Sequence, residues 1–553
     1  VPMLAYLPAM RAGSIWDDND MLTESHLIRA ADGLRRIWFS TEPIDYFPLT
    51  LSSLWIEWRL WGMNATGYHV TNVLLHFAGA ALFWRALATL KLPGAWWAAM
   101  LFAIHPVNVE SVAWITERKN TLSLVFFALA LLAWLRFDGE KKTAHPGWYL
   151  LAIGAFALSL LSKTAGVTLP VVLLGIAWWR RGRITRHDWV QAMPFFALAV
   201  AMGLVTIWFQ YNRSISEIVV NTSSFAQRLA GAGWAVWFYL SKALLPVQLT
   251  FVYPRWEINA ANPLVYLPGV AVLGCLLIFW KYRGSWGRPG LAAFGYFVLT
   301  LFPVLGFFNI FFHRYSFVAD HWQYFSIISV TAAGCAVAVY FLKSRALPVL
   351  GAVAVVMAAL TWNQASIYEN QETLWRDTLR KNPRCWMAES NWGLYLHNQG
   401  RSSEAIPHFE AALRINPSDH GTLYNLGVAH LTLGRPREAA NAFTEALKVN
   451  PDHILALMSL ALIRSISDDD SLRNGEEAVK LARRGVELTG GEDEWQLDTL
   501  AAAYAETGYF EGAVRTQIKA VETVSTKGNH ALAAEMKQRL QLYQSGRPFR
   551  EGQ

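Results

Sequence analysis

The stretch Asn416-Pro417-Ser418-Asp419-His420-Gly421-Thr422-Leu423-Tyr424-Asn425-Leu426-Gly427 contains two short motifs that recur along the chain. Asn-Pro returns at residues 382–383 and 450–451, and Asn-Trp-Gly at residues 391–393 matches Asn-Leu-Gly at the end of the quoted stretch. Each interval is 34 residues. Small residues at a packing seam and proline at the unit boundary predict pairs of helices stacked in a row. Such arrays bind partner proteins, so chemistry is expected elsewhere in the chain.

The 34-residue period, kept also by Gly400-Arg401 and Gly434-Arg435, is the signature of the tetratricopeptide repeat. Two full units occupy roughly residues 386–419 and 420–453. Gly508 lies two periods plus six residues beyond Gly434, and the stretch Ser-Asp-Asp-Asp-Ser at residues 467–471 stands where that insertion falls. In a turn between repeat helices, these acids are interpreted as a solvated capping loop and not as a metal or sugar-nucleotide site.

Apolar stretches of membrane length precede the repeats. The 553-residue chain is 54% hydrophobic and only 16% charged, against about 25% charged residues in soluble proteins. The stretches are residues 68–90, 94–113, 121–137, 147–162, 166–179, 190–209, 228–248, 264–280, 290–308, 324–342 and 346–365. The apolar start of the chain is too short to cross about 30 Å of hydrocarbon, and we expect it to be the end of a longer span, which makes about eleven or twelve in all.

We therefore predict an all-α protein in two parts. Residues 1–365 form a polytopic membrane domain with outer loops at 14–66 and 105–120, and residues 366–553 form an α-solenoid of tetratricopeptide repeats. The path of segment 228–248 determines on which side of the membrane the repeats lie. If this segment is re-entrant or lies along the interface, the basic residues after it face the cytoplasm, as the positive-inside rule prefers. They are Lys281, Arg283, Arg288, Lys343 and Arg345. We adopt this topology, which puts the repeats outside the cytoplasm.

The first outer loop begins with acidic residues, in the sequence Ile15-Trp16-Asp17-Asp18-Asn19-Asp20. Carboxylates at a membrane surface are costly, which makes Asp17 and Asp18 candidates for a functional site. The alternative is that the acids mark solvent and cap the next helix. The rest of the loop favours an organised site, because Tyr46 is followed at residues 51–61 by a Trp- and Leu-rich stretch that suits a helix lying in the interface plane.

The other outward loops carry polar groups that lipid would not tolerate. They are His105, Glu110, Arg118, Lys119, Lys163, Arg314, Asp320 and His321. Taken singly, each cation is interpreted as a snorkelling or helix-capping charge. Taken together, cations opposite an acid pair suit a lipid-linked phosphate, with an acid activating the attacking group. Because opposite charges attract at a low-dielectric boundary, we expect a cavity between the first loop and the loops that carry Arg118, Lys163 and His321.

Five motifs in the membrane part, followed by the repeats, carry a resemblance to a known family. They are WDDND (16–20), YFPLT (46–50), HPVNVESVAWITERKNTLS (105–123), LLSK (160–163) and ADHWQYF (319–325). The chain resembles the GT-C superfamily of integral-membrane glycosyltransferases. Within it, the chain is most similar to the transmembrane-and-tetratricopeptide protein O-mannosyltransferases and their bacterial relatives.

The resemblance implies transfer of a mannose-like hexose from a polyprenyl-phosphate-linked donor to protein hydroxyl groups on the outer or luminal side. It assigns the base to Asp17 or Asp18, and Asp18 is preferred because Asp17, beside Trp16, is better placed to order the loop. It assigns the donor phosphate to Arg118, Lys163 and His321, with Lys119 and Arg314, and it makes Tyr46, His105, Glu110 and Asp320 site-lining residues. It further implies a bacterial inner-membrane protein with repeats in the periplasm.

Two departures from the family pattern concern the donor. Glu-Arg-Lys-Asn at residues 117–120 stands where eukaryotic relatives have a sequence like Gly-Arg-Ala-Asp, so the last position lacks its acid. His321 stands where Arg is common, and a histidine is only partly charged at neutral pH. The sugar can therefore differ from mannose.

Partners and alternatives follow from the same features. We expect a lipid-linked donor, a protein or peptide acceptor on the repeats, and contact with a larger membrane complex. Nucleic acid is not expected, because the net charge of +7 is modest and spread over loops on one membrane side. The three Cys lack metal spacing and no residue is assigned to a metal, while a requirement of the reaction for a divalent metal is left open by the sequence. A non-catalytic membrane scaffold or accessory subunit is the alternative, and a transporter is disfavoured because the charges avoid span midpoints.

Overall fold

The computed structural model describes residues 2–138, 145–215 and 223–551. Within these ranges the regular structure is helical, without strands. The chain divides into two compact units, one ending at Pro383 and the other beginning at Arg384. The predicted all-α class, a polytopic helical part followed by helical repeats, is confirmed.

The first unit contains short helices in its first loop and long ones after it. Its α-helices are Pro2–Ala5, Leu7–Met10, His26–Arg29, Gly33–Phe39, Pro48–Trp61, Ala65–Thr89, Ala95–Ala103, Val109–Ala113, Arg118–Phe137, Pro146–Ser162, Leu169–Arg181, Arg186–Phe209, Phe225–Leu244, Leu267–Lys281, Gly287–Leu301, Ile327–Leu342, Ala346–Ile367 and Gln371–Lys381. Each predicted apolar stretch overlaps one of these helices. The stretch at 94–113 is interrupted after Ala103, because residues before a proline, here His105-Pro106, disfavour the helical conformation.

Five helical segments of the described residues are long and apolar enough to cross a membrane. They are Ala65–Thr89, Ile115–Phe137, Arg186–Ser214, Pro263–Lys281 and Ile327–Ile367. The last of them bends at Lys343, whose φ of 49° breaks the helix between two apolar arms. Several of the other apolar helices are shorter than a full crossing of about 20 residues.

Helix Arg118–Phe137 lies at the centre of this unit and packs against both Ala65–Thr89 and Pro146–Ser162. Polar groups at its seam bond across helices, since the hydroxyls of Ser123 and Ser159 lie 2.9 Å apart. Such small hydroxyl residues let helix backbones approach closely while satisfying each other. Residues 105–123, which lead into this helix and form its first turns, are therefore almost all buried in the interior of the unit.

The segment at 228–248 forms helix Phe225–Leu244, which is not among the five membrane-length segments. It packs closely against helix Leu267–Lys281, because a Cβ on Gly233 would meet the Gly269 nitrogen at 2.5 Å. Close backbone approach through small residues is typical of helix pairs in membranes. Whether this helix spans or is re-entrant stays a prediction, and so does the side of the repeats.

Helix Gln371–Lys381 belongs to the first unit, beyond the predicted boundary at residue 365. Trp375 is completely buried and packs edge to face on Phe251, with ring centroids 5.6 Å apart. Lys381 donates to the Leu249 carbonyl at 2.6 Å, and Asn382 donates to the Val252 carbonyl at 3.2 Å. These contacts anchor the helix on the loop near residue 250, and the two units divide only after Pro383.

The second unit is a series of antiparallel helix pairs. Its helices are Trp386–Asn398, Ser402–Ile415, His420–Thr432, Pro436–Val449, Ile454–Ile466, Gly475–Leu488, Glu494–Glu506, Phe510–Thr526 and His530–Gln544. Gly393 and Gly427 stand where each first helix meets its partner, on the rings of Phe409 and Phe443. A Cβ on either glycine would overlap the ring, which explains glycine at both repeats of the period.

The acidic residues at 467–471 lie in the turn after helix Ile454–Ile466. Asp469 accepts the Ser471 N–H at 3.0 Å and pairs with Arg437 at 2.7 Å, while Asp470 pairs with Arg473. The turn is thus closed by local hydrogen bonds and ion pairs, as expected for a capping loop between repeat helices.

Substituting Gly427 tests the packing of the repeat. We expect Gly427→Ala to destabilise the helix pair 420–449 by about 1–3 kcal/mol, the usual cost of overpacking a tight core. Hydrogen–deuterium exchange of peptides from residues 420–449 in the full chain measures the effect as faster exchange. Gly421→Ala is the matched control, because its Cβ meets only an Asp419 oxygen at 3.7 Å. Equal exchange in both variants would contradict this account of the seam.

Candidate active site

Asp18 is completely buried at the start of the first loop. Its Oδ2 accepts the N–H of Ile15 at 3.0 Å, and its Oδ1 accepts the N–H of Thr116 at 2.9 Å. Burial, together with the neighbouring charge of Asp17, raises the pKa of Asp18 to about 8. The bond from Ile15 lies within the first loop, and the bond from Thr116 ties that loop to the loop at 105–120.

Asp17 is partly exposed and uses one oxygen to contact the protein. Its Oδ1 accepts the indole N–H of Trp114 at 2.8 Å and the hydroxyl of Thr116 at 3.0 Å. Burial raises the pKa of Asp17 to about 6, although the ammonium group of Lys119 opposes the change. Burial raises the pKa of Asp17 less than that of Asp18, so Asp17 is the acid of the pair that ionises first as the pH rises. Within the described residues both donors reach Oδ1, which leaves Oδ2 for a ligand.

Trp16 precedes the acid pair in a strained conformation, with a φ of 42° that bulky side chains rarely adopt. Its ring packs within an aromatic cluster, with centroid distances of 5.2 Å to Trp114, 5.5 Å to Phe251 and 5.9 Å to Phe312. Strain of this kind persists where surrounding packing over-determines the conformation. The cluster thus fixes the direction in which the next residue, Asp17, leaves the chain.

Two lysines share a single buried carboxylate next to the acid pair. Glu117 lies 2.7 Å from the ammonium of Lys119 and 3.2 Å from that of Lys163. Lys163 follows helix Pro146–Ser162, and its burial lowers its pKa to about 8 while Glu117 acts in the opposite direction. The three groups sum to +1 when both lysines are protonated, and the ionised Asp17 carboxylate, which interacts with the charge of Lys119, brings the cluster to zero. Two ammonium groups therefore lie beside the acid pair without a net positive charge.

Asn120 stands where relatives have an acid, and its contacts show why an amide fits this position. Its side-chain amide donates to the Glu117 carboxylate, to the Ser111 hydroxyl at 3.0 Å and to the His321 carbonyl at 3.3 Å. An aspartate in this position could not donate to Glu117 and would repel it. The amide therefore links Glu117 to the loop that contains His321.

His321 and Glu110 form a second buried pair. The His321 N–H donates to Glu110 Oε2 at 2.8 Å, and His321 Nδ1 lies 3.1 Å from Glu110 Oε1. Next to them, Asp320 accepts the Tyr253 hydroxyl at 2.9 Å, and its burial raises its pKa well above the ordinary value. The His321 ring contacts Trp114 edge to face, with centroids 5.7 Å apart. Trp114 thus stands between this pair and Asp17.

Arg118 lies inside the unit and is completely buried. Its guanidinium forms an ion pair with Glu57, donates to Asn72 Oδ1 at 2.7 Å and donates to the Tyr68 carbonyl at 2.8 Å. Glu57 belongs to helix Pro48–Trp61, the stretch predicted to lie in the interface plane. All three nitrogens of the group are engaged by protein atoms, so Arg118 joins the first loop to two long helices.

Three predicted residues lie outside these clusters. Tyr46 packs on Phe209 with ring centroids 5.2 Å apart, and its hydroxyl donates to the Trp38 carbonyl at 3.3 Å. His105 Nε2 lies 3.1 Å from the Ala243 carbonyl, and the Arg314 guanidinium lies over the Tyr315 ring at 5.8 Å. The contacts of Tyr46 and His105 join neighbouring segments, and Tyr315, the neighbour of Arg314, packs on Trp16 with ring centroids 5.9 Å apart.

A cavity of about 160 Å³ lies beside the first loop. Its lining includes Asp20, Asp45, Thr116 and Lys119, but not Arg118, Lys163 or His321. Asp17 and Asp18 are not among its described lining residues either. The cavity expected between the first loop and the loops that carry Arg118, Lys163 and His321 therefore stays a prediction. Among the described residues, no cluster of three or more His, Cys, Asp or Glu side chains has the arrangement of a metal site.

Sequence reasoning missed several residues that build this site, above all Trp114, Thr116 and Glu117. All three lie in the motif at residues 105–123, and their place in this motif is the one sequence feature that could have marked them as site residues. Glu57 was missed because one acid in an apolar helix shows no partner until the helix is placed against Arg118. Pairing across loops depends on tertiary structure, which spacing along the chain does not report.

Comparison with known proteins supports the resemblance. A family model described as tetratricopeptide repeat matches residues 386–452. A Caenorhabditis elegans protein named "Protein O-mannosyl-transferase F38B6.6" is 22% identical over 75% of this chain and 62% of its own length. Human "Protein O-mannosyl-transferase TMTC3" is 21% identical over 77% of this chain and 52% of its own length.

A shorter match is closer in sequence. Mouse "Protein O-mannosyl-transferase TMTC2" is 35% identical over 23% of this chain and 16% of its own length. The resemblance predicted from the membrane motifs and the repeats is thus confirmed. The chain spans less than two thirds of the length of each of these three relatives.

Removing Arg118 tests its structural role. We expect Arg118→Met to lower the free energy of unfolding by about 3–5 kcal/mol, because the Glu57 carboxylate is left buried without its partner. Thermal unfolding of the purified chain in detergent measures the loss. The double variant Arg118→Met with Glu57→Leu is the matched control and should regain most of the stability. Unchanged unfolding of Arg118→Met would contradict the role and return Arg118 to the donor-binding candidates.

Proposed function

We propose that this protein is a membrane glycosyltransferase that transfers a hexose from a polyprenyl-phosphate-linked donor to hydroxyl groups of proteins. The carrying observation is the Asp17 carboxylate, oriented through one oxygen by Trp114 and Thr116 and beside two lysines that share one glutamate. The names of its relatives support the reaction class. The donor class comes from the motif resemblance and from the two lysines beside Asp17.

Asp17 is the proposed general base. In the reaction its Oδ2 takes the proton of the acceptor hydroxyl while the oxygen attacks the anomeric carbon of the sugar. The bond between that carbon and the phosphate oxygen breaks, and the polyprenyl phosphate leaves with the electron pair. Attack opposite the leaving group inverts the anomeric carbon. Asp18, the residue preferred from the sequence, is less suited to this role, because backbone N–H groups occupy both of its oxygens.

Lys163 and Lys119 are the proposed ligands of the donor phosphate. Two ammonium groups share the Glu117 carboxylate, so each can turn toward the leaving phosphate as its charge develops. Arg118 is assigned a structural role instead, since its partners leave no nitrogen for a ligand. His321 is proposed to position Trp114 through its ring contact and its bond to Glu110.

We further propose that the repeats lie on the outer face of the membrane with the acid pair, in the periplasm of a bacterial cell. The support is the distribution of Lys and Arg after residue 248 under the positive-inside rule. A shared compartment lets the repeats hold an acceptor polypeptide, or a subunit of a larger membrane complex, while its hydroxyl group reaches the donor.

A membrane scaffold without catalytic activity is the second candidate. One observation favours the scaffold: four of the cations predicted to hold a phosphate already lie beside a carboxylate of the protein. They are Arg118, Lys119, Lys163 and His321. Activity of the purified chain with a defined polyprenyl-phosphate hexose and a serine- or threonine-containing peptide separates the two candidates.

Exchanging each acid for its amide distinguishes their roles. We expect Asp17→Asn to reduce transfer about 10²- to 10⁴-fold, the range of general-base assistance, since the amide cannot take the proton. Asp18→Asn should cost less in rate and more in stability, because a buried amide cannot accept both backbone N–H groups. Transfer is measured in vitro after both variants are shown to fold. If both retain more than about a tenth of the wild-type rate, neither acid is the base, and the scaffold is favoured.

The dependence of the rate on pH follows from the same groups. Asp17 accepts a proton only when ionised, so kcat/KM should rise with a midpoint near pH 6, where its raised pKa lies. Above about pH 8 the rate should fall, because Lys163 loses its charge and Asp18 gains one. Lys163→Arg is the control for the alkaline limb, since arginine stays charged. A rate that is flat between pH 5 and 7 would contradict Asp17 as the base.

The side of the repeats is tested by labelling. We expect a cysteine introduced at Ser418 to react with a membrane-impermeant maleimide in intact cells, or in spheroplasts where an outer membrane shields it. Ser418 is an exposed residue between two repeat helices. The parent chain controls for its own thiols, Cys275, Cys335 and Cys385. Labelling only after lysis would exclude the proposed topology.

A further inference from the structure

Residues 547–551 follow the last helix and lie, without helical structure, against the repeat helices. The Glu551 N–H donates to the Ile466 carbonyl at 2.9 Å, and the Arg550 guanidinium donates to the Ser465 carbonyl at 3.2 Å. The same guanidinium pairs with Glu506 at 2.6 Å. These acceptors lie at the ends of helices Ile454–Ile466 and Glu494–Glu506, the first helices of successive pairs. Helix C-termini carry partial negative charge, which favours a cation there.

Phe549 occupies an apolar niche beside this pair. It packs on a cluster that contains Ala501, Ala505 and Tyr543, and the Arg539 guanidinium lies 4.8 Å from its ring centroid. Alanines on helix Glu494–Glu506 make room for the ring, since larger side chains would fill the niche. Two adjacent residues of one non-helical segment thus enter two different subsites, one apolar and one anionic.

The insertion that breaks the 34-residue period helps to build the anionic subsite. Arg473, just after the insertion, pairs with Glu506 at 3.1 Å and donates to the Ser467 carbonyl at 2.8 Å. Glu506 is therefore held in place by one arginine and still accepts a second one. A regular repeat without these extra residues would have no Arg473 in this position.

We propose that this groove recognises an extended polypeptide segment in which an aromatic residue is followed by arginine, and that residues 547–551 occupy it in competition with such a segment of a partner protein. A main-chain hydrogen bond, an apolar niche and an anionic subsite are the three elements that recognise an extended peptide by backbone and by alternate side chains. The partner is defined by this aromatic–arginine chemistry. The proposal rests on residues 454–551 and is independent of the reaction at Asp17.

Competition follows from covalent attachment. A segment joined to its own groove by a short connection has an effective concentration on the order of millimolar, so it suppresses binding of a free peptide. Gly546, with a φ of 69°, turns the chain between helix His530–Gln544 and the segment. The segment can therefore leave the groove by rotation at this turn, without unfolding of the helix.

The test uses the full chain in detergent and a fluorescent peptide with the sequence of residues 545–551, Ser-Gly-Arg-Pro-Phe-Arg-Glu. In anisotropy titrations the double variant Phe549→Ala with Arg550→Ala should bind the peptide at least about tenfold more tightly than the wild type, because the competitor is removed. Arg547→Ala is the matched control, since its side chain bonds only to Ser545 among the described residues. Adding Glu506→Gln to the double variant should abolish the gain.

A second variant tests the same point without the two substitutions, so that misfolding of the double variant cannot explain the result. A protease site inserted between Gly546 and Arg547 is cut after the chain has folded, and the labelled peptide should then exchange into the groove. Equal peptide binding before and after cutting, or a gain that survives Glu506→Gln, would overturn the proposal. A wild-type dimer that dissociates in the double variant, measured by light scattering, would overturn it too, because the occupant would then be a second copy of this chain.

Discussion

Thr116 bonds both acids of the first loop, and much of the candidate site depends on this contact. Its N–H binds Asp18 and its hydroxyl binds Asp17. Carboxylates in a water-poor interior are tolerated only when hydrogen bonds or charges compensate the lost hydration. The two backbone N–H groups at Asp18 offset part of that loss, and the one from Thr116 joins the first loop to the loop at 105–120. Asp17, its neighbour in the chain, is then left at the edge of the locked structure, with one oxygen held and one available.

The need to compensate buried charge also separates the cations of this unit into two groups. Arg118 is compensated fully by Glu57, Asn72 and a carbonyl group, and it therefore stabilises the fold. Lys119 and Lys163 share the Glu117 carboxylate, and Lys119 also interacts with the charge of Asp17. In the proposed reaction these two lysines, and not Arg118, are the cations that bind the donor phosphate.

In the repeats, the residues that interrupt the 34-residue period form contacts of their own. Glycine at 393 and 427 keeps adjacent helices in contact with Phe409 and Phe443, and it recurs because the packing geometry recurs. The extra residues after Ile466 interrupt that geometry once. There the chain places Arg473 against Glu506 and opens a surface on which residues 547–551 lie. Regular packing builds the solenoid, and the longer turn after Ile466 adds the contacts of Arg473.

The sequence by itself determined the two-part helical architecture, the repeat and the acid pair, because these features depend on local periodicity, apolar length and residue type. The 34-residue interval and the apolar stretches each correspond to helices in the structure. Only the tertiary structure decided which charges meet. Arg118 and Lys119 are neighbours in sequence, yet successive helical residues point in different directions, so one reaches Glu57 inside the unit and the other lies beside Glu117 and the cavity. Likewise Asp17 and Asp18 differ only by the atoms that surround them. Apart from the Ile15 N–H, their side-chain partners come from Trp114 and Thr116, which no spacing rule along the chain predicts.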